Sequence, residues 1–166
     1  MLPMICYLLF KKNNNNKNFG DDKLGTKVDY DAIIVGAGFA GLALIHHLKK
    51  LGISLKVFDK ASGIGGTWNW NKYPGAATDS EGYYYCLSFS KEIMQEWTWS
   101  ERYPGWEETN RYLHFVADKC NMWPDIQLNT EIISAEFSND EKIWIVTTNN
   151  GEKLSCKYFI SAMGII

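Results

Sequence analysis

Three glycines and one acid have the spacing of a phosphate-binding turn. Gly36, Gly38 and Gly41 lie in the run GAGFAG, and Asp59 is 18 residues beyond the last of them. In such a turn the first glycine allows the bend, the second lets the backbone approach a pyrophosphate, and the third brings helix and strand together. Asp59 can accept hydrogen bonds from a ribose 2′-hydroxyl, and an acid there disfavours a 2′-phosphate. The spacing predicts a site for FAD or NAD rather than NADP.

Regular elements are expected on both sides of this turn. Asp31–Val35 is short, apolar and rich in β-branched residues, which predicts a strand. From Phe39 to Leu51 the apolar residues follow a helical period, and Gly52 is suited to end the helix. Ser54–Asp59 predicts a second strand, so the order is strand, turn, helix, strand. This order predicts a Rossmann-like α/β fold, with the free amides of the helix start facing phosphates.

An aromatic stretch follows the second strand. Residues 65–79 read GGTWNWNKYPGAATD and have neither a helical nor an alternating period. Glycines allow close approach to a planar ligand, and indoles can cover it with few mobile torsions. The stretch therefore predicts an irregular coil beside a flat cofactor. The alternative is that Trp68 and Trp70 are ordinary core residues.

The second half of the chain predicts one helix and three strands. The helix is expected at Glu108–Lys119, after irregular chain up to about Ser100. The strands are expected at Ile126–Ser134, Glu141–Thr148 and Lys153–Ile160, with a hairpin turn at Asn149–Gly151. A parallel core with an antiparallel meander on its crossover is typical of flavoproteins with two dinucleotide-binding domains. This arrangement favours FAD over NAD.

Composition excludes some classes of function. The net charge of −2 gives no electrostatic footprint for nucleic acid. The four cysteines form no CxxC pair and no cluster with histidine, so no metal site is expected and the thiols fit a cytoplasmic protein.

The N-terminal residues differ in kind from the rest. MLPMICYLLF is apolar but too short to span a bilayer, and an Asn- and Lys-rich polar run follows it. Residues 1–27 are therefore predicted to be a disordered extension, with a membrane or targeting role as the alternative. Residues 28–166 are predicted to be the folded domain.

Three segments carry a resemblance to a known family: GAGFAG, then GGTWNWNKYPGAATD with YYYCLSFS, then EWTWSERYPGWEETNRYLHFVADK. From about Asp29 onward the chain resembles the N-terminal, FAD-binding part of a class B flavin monooxygenase. It is most similar to the Baeyer–Villiger type, which includes cyclohexanone and phenylacetone monooxygenases. The resemblance implies bound FAD, NADPH held by a domain not in this sequence, and O2 with a ketone or an N or S compound as substrates.

The resemblance also implies roles for individual residues. Asp79 matches a catalytic loop aspartate that lies beside the flavin and holds an arginine by a charge-assisted pair. Otherwise Asp79 could merely cap a turn. The remaining cofactor contacts implied by the family are Ala40, Gly66, Thr67, Trp68, Asn69, Trp70, Tyr85 and the backbone of Ile132.

The chain also departs from the family pattern. The usual residues are arginine at Lys72, Arg-Cys at Ala77–Thr78, glutamine at Trp106 and a small polar residue at Met163. Loss of an arginine removes a possible contact to NADPH. The resemblance implies an incomplete FAD-binding domain, inactive by itself. An NAD-dependent dehydrogenase with an insertion and a non-catalytic, truncated nucleotide-binding fragment are the alternatives.

Overall fold

The computed structural model of the protein describes residues 27–164. Its strands are β1 Tyr30–Val35, β2 Leu55–Phe58, β3 Ile126–Gln127, β4 Ile132–Ser138, β5 Ile143–Thr148 and β6 Lys153–Ser161. Its helices are α1 Phe39–Lys50, α2 Thr67–Trp70, α3 Lys91–Glu96 and α4 Trp106–Lys119, with a 3-10 turn at Trp123–Asp125. Apart from Lys27, the predicted N-terminal extension lies outside the described residues.

The six strands form one mixed sheet in the order β3-β2-β1-β6-β5-β4. The pairs β3–β2, β2–β1 and β1–β6 are parallel, whereas β6–β5 and β5–β4 are antiparallel. A parallel core flanked by helices with an antiparallel meander confirms the predicted Rossmann-like α/β class.

The meander is continuous with the parallel core. The first half of β6 pairs with β5, and the second half pairs with β1. Cys156 lies where the two pairings meet, opposite Trp144 on one side and Tyr30 on the other. The meander therefore extends the parallel sheet through a shared strand.

The unit β1-α1-β2 forms as predicted. α1 ends at Lys50, with Leu51 as its C-cap, and Gly52 then adopts a φ of +72° that leaves the helical path. The helix packs on the sheet through its buried row of Gly41, Leu42, Ile45 and Leu48.

Three predicted segments have different bounds in the structure. The stretch expected to be irregular contains α2 and α3, which are too short to show a helical period. α4 begins at Trp106 instead of Glu108, because Gly105 has an extended conformation and acts as its N-cap. The single strand expected at Ile126–Ser134 is divided into β3 and β4 by a turn in which Asn129 has a φ of +53°.

Both faces of the sheet are covered by apolar side chains. On one face, Ile34 and Val57 pack against α1 and α4, and this larger core includes Trp68 and Tyr112. A second, smaller core contains Ile33, Phe58, Val146 and Cys156, and so joins the parallel strands to the meander strands. The turn after β1 lies at the carboxyl end of the parallel strands, where ligands bind in open α/β sheets.

Candidate cofactor-binding site

The backbone of the GAGFAG turn requires glycine at its first and last glycine positions. Gly36 has a φ of +108°, and an added Cβ would lie 2.4 Å from the Ala162 carbonyl oxygen. A Cβ on Gly41 would lie 2.0 Å from the Gly36 carbonyl oxygen. The close approach of α1 to the end of β1 therefore depends on Gly41, and the close approach of Ala162 depends on Gly36. Ala162 directly follows β6, and its amide donates to the Val35 carbonyl at 2.8 Å.

The aromatic coil rests directly on this turn. Gly38 is the N-cap of α1 and no side chain caps the helix start. An added Cβ on Gly66 would lie 3.3 Å from the Gly38 Cα, so the two backbones are in contact. The Gly65 amide also donates to the Ala37 carbonyl at 2.9 Å. The two glycine segments therefore form one backbone surface, from which α2 begins.

The Asp59 carboxylate is bonded within the protein. The Ala37 amide donates to one of its oxygens at 2.7 Å and the Ala61 amide to the other at 2.9 Å. Asp59 is buried, so this carboxylate ties the glycine turn to the end of β2. A carboxylate has about four lone-pair sites, which leaves acceptor capacity for a ribose hydroxyl. The ribose role of Asp59 stays a prediction.

The two tryptophans of α2 occupy different environments. Trp68 is only 7% exposed, and its Nε1–H donates to the Tyr85 hydroxyl at 3.2 Å. Trp70 is 58% exposed, with the Lys60 Nζ 6.0 Å from its ring centroid. Trp68 is thus packed in the core and Trp70 is largely exposed, and the contact of either indole with a cofactor stays a prediction.

Tyr85 connects the coil with the start of α1. Its ring meets Phe39 edge-on at 5.1 Å and Trp68 at 5.6 Å. Burial raises the pKa of the Tyr85 hydroxyl, the Trp68 hydrogen bond lowers it, and the charge of Asp79 raises it. Tyr85 is therefore neutral and near the Asp79 carboxylate.

Asp79 lies on a loop that is held at both ends. The Thr78 amide donates to the Pro104 carbonyl at 3.0 Å, and the Gly82 amide donates to the Arg102 carbonyl at 2.8 Å. Arg102 also pairs with Glu81. The Asp79 side chain is exposed, and its recorded bond is a long one from the Ser80 hydroxyl at 3.4 Å. A positioned, exposed carboxylate of this kind can accept a guanidinium.

The other predicted contacts lie around the same region. Ala40 is exposed in the first turn of α1, and Thr67 is exposed in α2. Asn69 is half-buried beside Gly63. Ile132 begins β4, two residues after Thr130, whose amide donates to the Asp59 carbonyl. The structure thus brings Ile132 near the end of β2. The cofactor contacts themselves stay predictions.

Two departures from the family pattern contact each other. The Lys72 Nζ lies 5.7 Å from the centroid of the Trp106 ring. A third departure, Ala77, forms an isolated bridge with Gly105, and the Trp106 amide donates to the Ala76 carbonyl. Apart from Met163, the departures therefore lie where residues 72–78 meet the start of α4.

Asn110 is a site residue that the sequence reasoning missed. It lies on α4, and its Nδ2 donates to the Ile64 carbonyl at 2.9 Å, immediately before Gly65. A signal was present, because Asn110 interrupts the row Trp106, Leu113 and Ala117 at helical spacing.

The described residues also form concave surface away from the glycine turn. Two depressions, of about 420 and 390 Å³, occur among the described residues. The first is next to Trp99 and Arg102, and the second is next to Tyr30 and Asp125. Neither depression is lined by the glycine turn or by the coil.

The chain is similar in sequence to a family of nucleotide-binding domains and to several monooxygenases. Residues 34–97 match a family described as an NAD(P)-binding Rossmann-like domain. The chain is 44% identical over 136 residues to an acetone monooxygenase (methyl acetate-forming) of Gordonia sp. strain TY-5. It is 45% identical over 141 residues to a phenazine N-monooxygenase of Lysobacter antibioticus. These alignments cover 82% and 84% of this chain and 26% of each relative, so the chain spans about a quarter of their length.

Solved structures give the same result. An oxidized steroid monooxygenase bound to NADP matches with a TM-score of 0.80 and 42% identity, covering 81% of this chain and 26% of that one. A cyclohexanone monooxygenase from Rhodococcus sp. Phi1 bound to NADP+ matches with a TM-score of 0.80 and 39% identity, covering 82% and 26%. The chain is therefore homologous to the N-terminal segment of the class B flavin monooxygenases of the Baeyer–Villiger type, which confirms the resemblance found in the sequence.

Proposed function

We propose that this chain is the FAD-binding portion of an NADPH-dependent flavin monooxygenase. Such an enzyme inserts oxygen from O2 into ketones or adds it to N or S atoms. The observation that carries the proposal is the backbone contact between Gly38 and Gly66. It joins a phosphate-binding turn to an aromatic coil in one continuous surface.

The residues of this surface fit FAD. The crowding at Gly36 and Gly41 keeps the start of α1 close to β1, with its amides uncapped by side chains. Uncapped amides at a helix start favour a diphosphate. The exposed indole of Trp70 and the backbone at Gly66 offer flat, close-approach surfaces for a ring system. FAD bound there would supply the redox chemistry, taking reducing equivalents from NADPH and passing them to O2.

The residues of this chain would bind and orient the cofactor. Asp59 fixes the turn and has remaining acceptor capacity for a ribose hydroxyl. Asp79 presents an exposed carboxylate that would hold an arginine supplied by the longer protein. Tyr85 keeps its phenol proton, because burial raises its pKa. No residue of this chain is assigned as a general base or a nucleophile.

Both reaction types are supported by relatives. A ketone-oxidising acetone monooxygenase and a phenazine N-monooxygenase are 44% and 45% identical to the chain. We propose a small ketone or an N or S compound as the substrate, with O2 as co-substrate. We also propose a cytoplasmic location, which the free state of Cys86, Cys120 and Cys156 supports. No helix within residues 27–164 is long and apolar enough to cross a membrane.

Titration of the purified chain with FAD and with NAD tests the proposal. We expect a yellow complex of one FAD per chain that releases flavin on denaturation, with much weaker binding of NAD. A chimera would test the activity. Residues 28–164 would replace the matching segment of the acetone monooxygenase, and we expect ketone-dependent NADPH consumption. A colourless chain that binds NAD alone would reject the proposal.

That last outcome would favour an NAD-dependent dehydrogenase. The matched family is described by NAD(P) binding, which is the observation in its favour. Binding of neither nucleotide would favour a non-catalytic fragment.

A further inference from the structure

We infer that Asn110 is a positioning residue that fixes the peptide plane between Ile64 and Gly65, and thereby the coil that faces the cofactor. The expected effect of Asn110 on FAD affinity rests on the proposed function. Its effect on the Ile64–Gly65 peptide concerns the protein without any ligand.

The bond from Asn110 crosses from one part of the fold to another. Asn110 lies in the second turn of α4, and its Nδ2 donates to the Ile64 carbonyl at 2.9 Å across 46 residues of sequence. Ile64 is fully buried and is part of the main core. Water is a poor substitute donor at such a position, so loss of the amide leaves a buried acceptor without a partner.

The same peptide plane carries a second bond in the opposite direction. The Ile64 carbonyl and the Gly65 amide belong to one planar unit. The carbonyl is held by α4, and the amide donates to the Ala37 carbonyl of the glycine turn at 2.9 Å. Rotation of this plane would break both bonds together. Asn110 therefore acts on the contact between coil and turn without touching either Gly36 or Gly38.

Glycine makes this support necessary. Gly65 has a φ of +129° and Gly66 a φ of +55°, conformations that glycine adopts without strain. The freedom that permits these angles also permits other orientations of the plane between residues 64 and 65. A hydrogen bond from a helix selects one orientation, which is a direct way to preorganise a binding surface.

The position of Asn110 on α4 supports the assignment. Its neighbours at helical spacing are Trp106, Leu113 and Ala117, and the last two are fully buried. An apolar residue at position 110 would continue this row and add buried apolar area. A polar side chain there is justified by the bond that it makes.

The test compares two variants that lack the donor with one matched control. Asn110→Leu keeps a similar volume without hydrogen-bonding groups, and Asn110→Asp keeps the shape but presents only acceptors at neutral pH. Arg111→Ala, an exposed neighbour on the same helix, is the control. Each is made in the full 166-residue chain, and the exchange rate of the Gly65 amide is measured by NMR without cofactor. FAD affinity and the thermal midpoint are measured in parallel.

We expect Gly65 exchange to accelerate and FAD affinity to fall, each by about tenfold, in both donor-free variants. The thermal midpoint of Asn110→Leu should fall less than that of Asn110→Asp, because added apolar burial offsets part of the cost of the unpaired Ile64 carbonyl. An equal effect on Gly65 exchange in both variants therefore separates positioning from general stability. Gly65 exchange equal to the control in both variants would overturn the inference. If wild-type chain binds no FAD, the proposed function fails, while Gly65 exchange still decides whether Asn110 holds the turn.

Discussion

Asp59 has an observed role in the fold and a proposed role at the ligand. Its spacing from the glycine turn indicated a partner for ribose, and the structure adds two backbone donors from Ala37 and Ala61. The carboxylate thus fixes the turn before any ligand arrives. Sequence spacing could identify the residue, but it could not reveal bonds made by backbone amides of other segments.

Substitution of Asp59 by asparagine should destabilise the chain even without cofactor. The amide can accept from one backbone N–H, but its NH2 group then faces the other donor. We expect Asp59→Asn to lower the free energy of unfolding by about 1–3 kcal/mol. Urea denaturation without FAD measures this, with the exposed Asp140→Asn as control. Equal stability of the two variants would mean that Asp59 does not hold the turn.

His46 gives a pH dependence at the residue scale. Its ring stacks on Phe89 at 4.0 Å, and its Nε2 is buried without a partner among the described residues. Burial lowers the pKa of His46, and the nearby charges of Lys50 and His47 lower it further. The unfolded chain, with a histidine pKa of about 6.5, therefore binds the proton more tightly than the folded chain does.

The contribution of His46 to the free energy of unfolding should consequently be fully present above about pH 6.5. It should be lost as the pH falls from about 6.5 toward the lower pKa of the folded state. We expect His46→Gln to flatten this part of the pH profile, whereas His47→Gln, at an exposed position, should leave most of it. Denaturant midpoints measured from pH 7.5 to 5.5 test this. A parallel decline in all three proteins would assign the effect to other groups.

At the scale of elements, the approach of α1 to β1 is limited by backbone contact. A Cβ on Gly41 would lie 2.0 Å from the Gly36 carbonyl oxygen, which is backbone and cannot rotate away. Helix propensity alone would favour Gly41→Ala by about 1 kcal/mol. The sign of the change therefore distinguishes the two effects.

We expect Gly41→Ala to destabilise the chain by about 1–3 kcal/mol, because α1 must move from the sheet. Gly105→Ala is the control, since its added Cβ meets only the Ala76 carbonyl oxygen at 3.7 Å. Thermal and urea unfolding give both values. A stabilised Gly41→Ala variant would show that α1 is not confined by Gly36.

The elements that the sequence predicted well are those with a recognisable apolar pattern. α1 and the strands β1, β2, β5 and β6 lie within a residue or two of their predicted bounds. α2 and α3 were missed because one turn of helix contains no period to detect. The division of the run at residues 126–134 depends on the pairing of β3 with β2 and of β4 with β5, which is tertiary information.

The candidate site was only partly predictable for the same reason. Glycines at Gly36 and Gly41 leave a sequence signature, because few other residues tolerate the geometry. The burial of Trp68 and the exposure of Trp70 leave no such signature, since both are tryptophans of one short helix. Asn110 acts across 46 residues of sequence, so its role appears only when the fold is known.

At the scale of the whole molecule, the chain carries the proposed cofactor surface and spans about a quarter of the length of its relatives. Its 166 residues contain a single GxGxxG run. We therefore expect the purified chain with added FAD and cyclohexanone to oxidise NADPH no faster than free FAD does. Absorbance of NADPH measures the rate, with an intact cyclohexanone monooxygenase as positive control. Ketone-dependent oxidation by this chain would show that the surface alone is a complete enzyme.

An NMR titration of the isotope-labelled chain with FAD decides whether the glycine turn and the coil form one FAD site. We expect the amides of residues 36–41 and 65–70 to shift together and to saturate at one FAD per chain. Amides beside Trp99 and Arg102, at the separate depression, should stay in place. Shifts confined to that depression, or no saturable shift at either glycine segment, would contradict a FAD site formed by the turn and the coil.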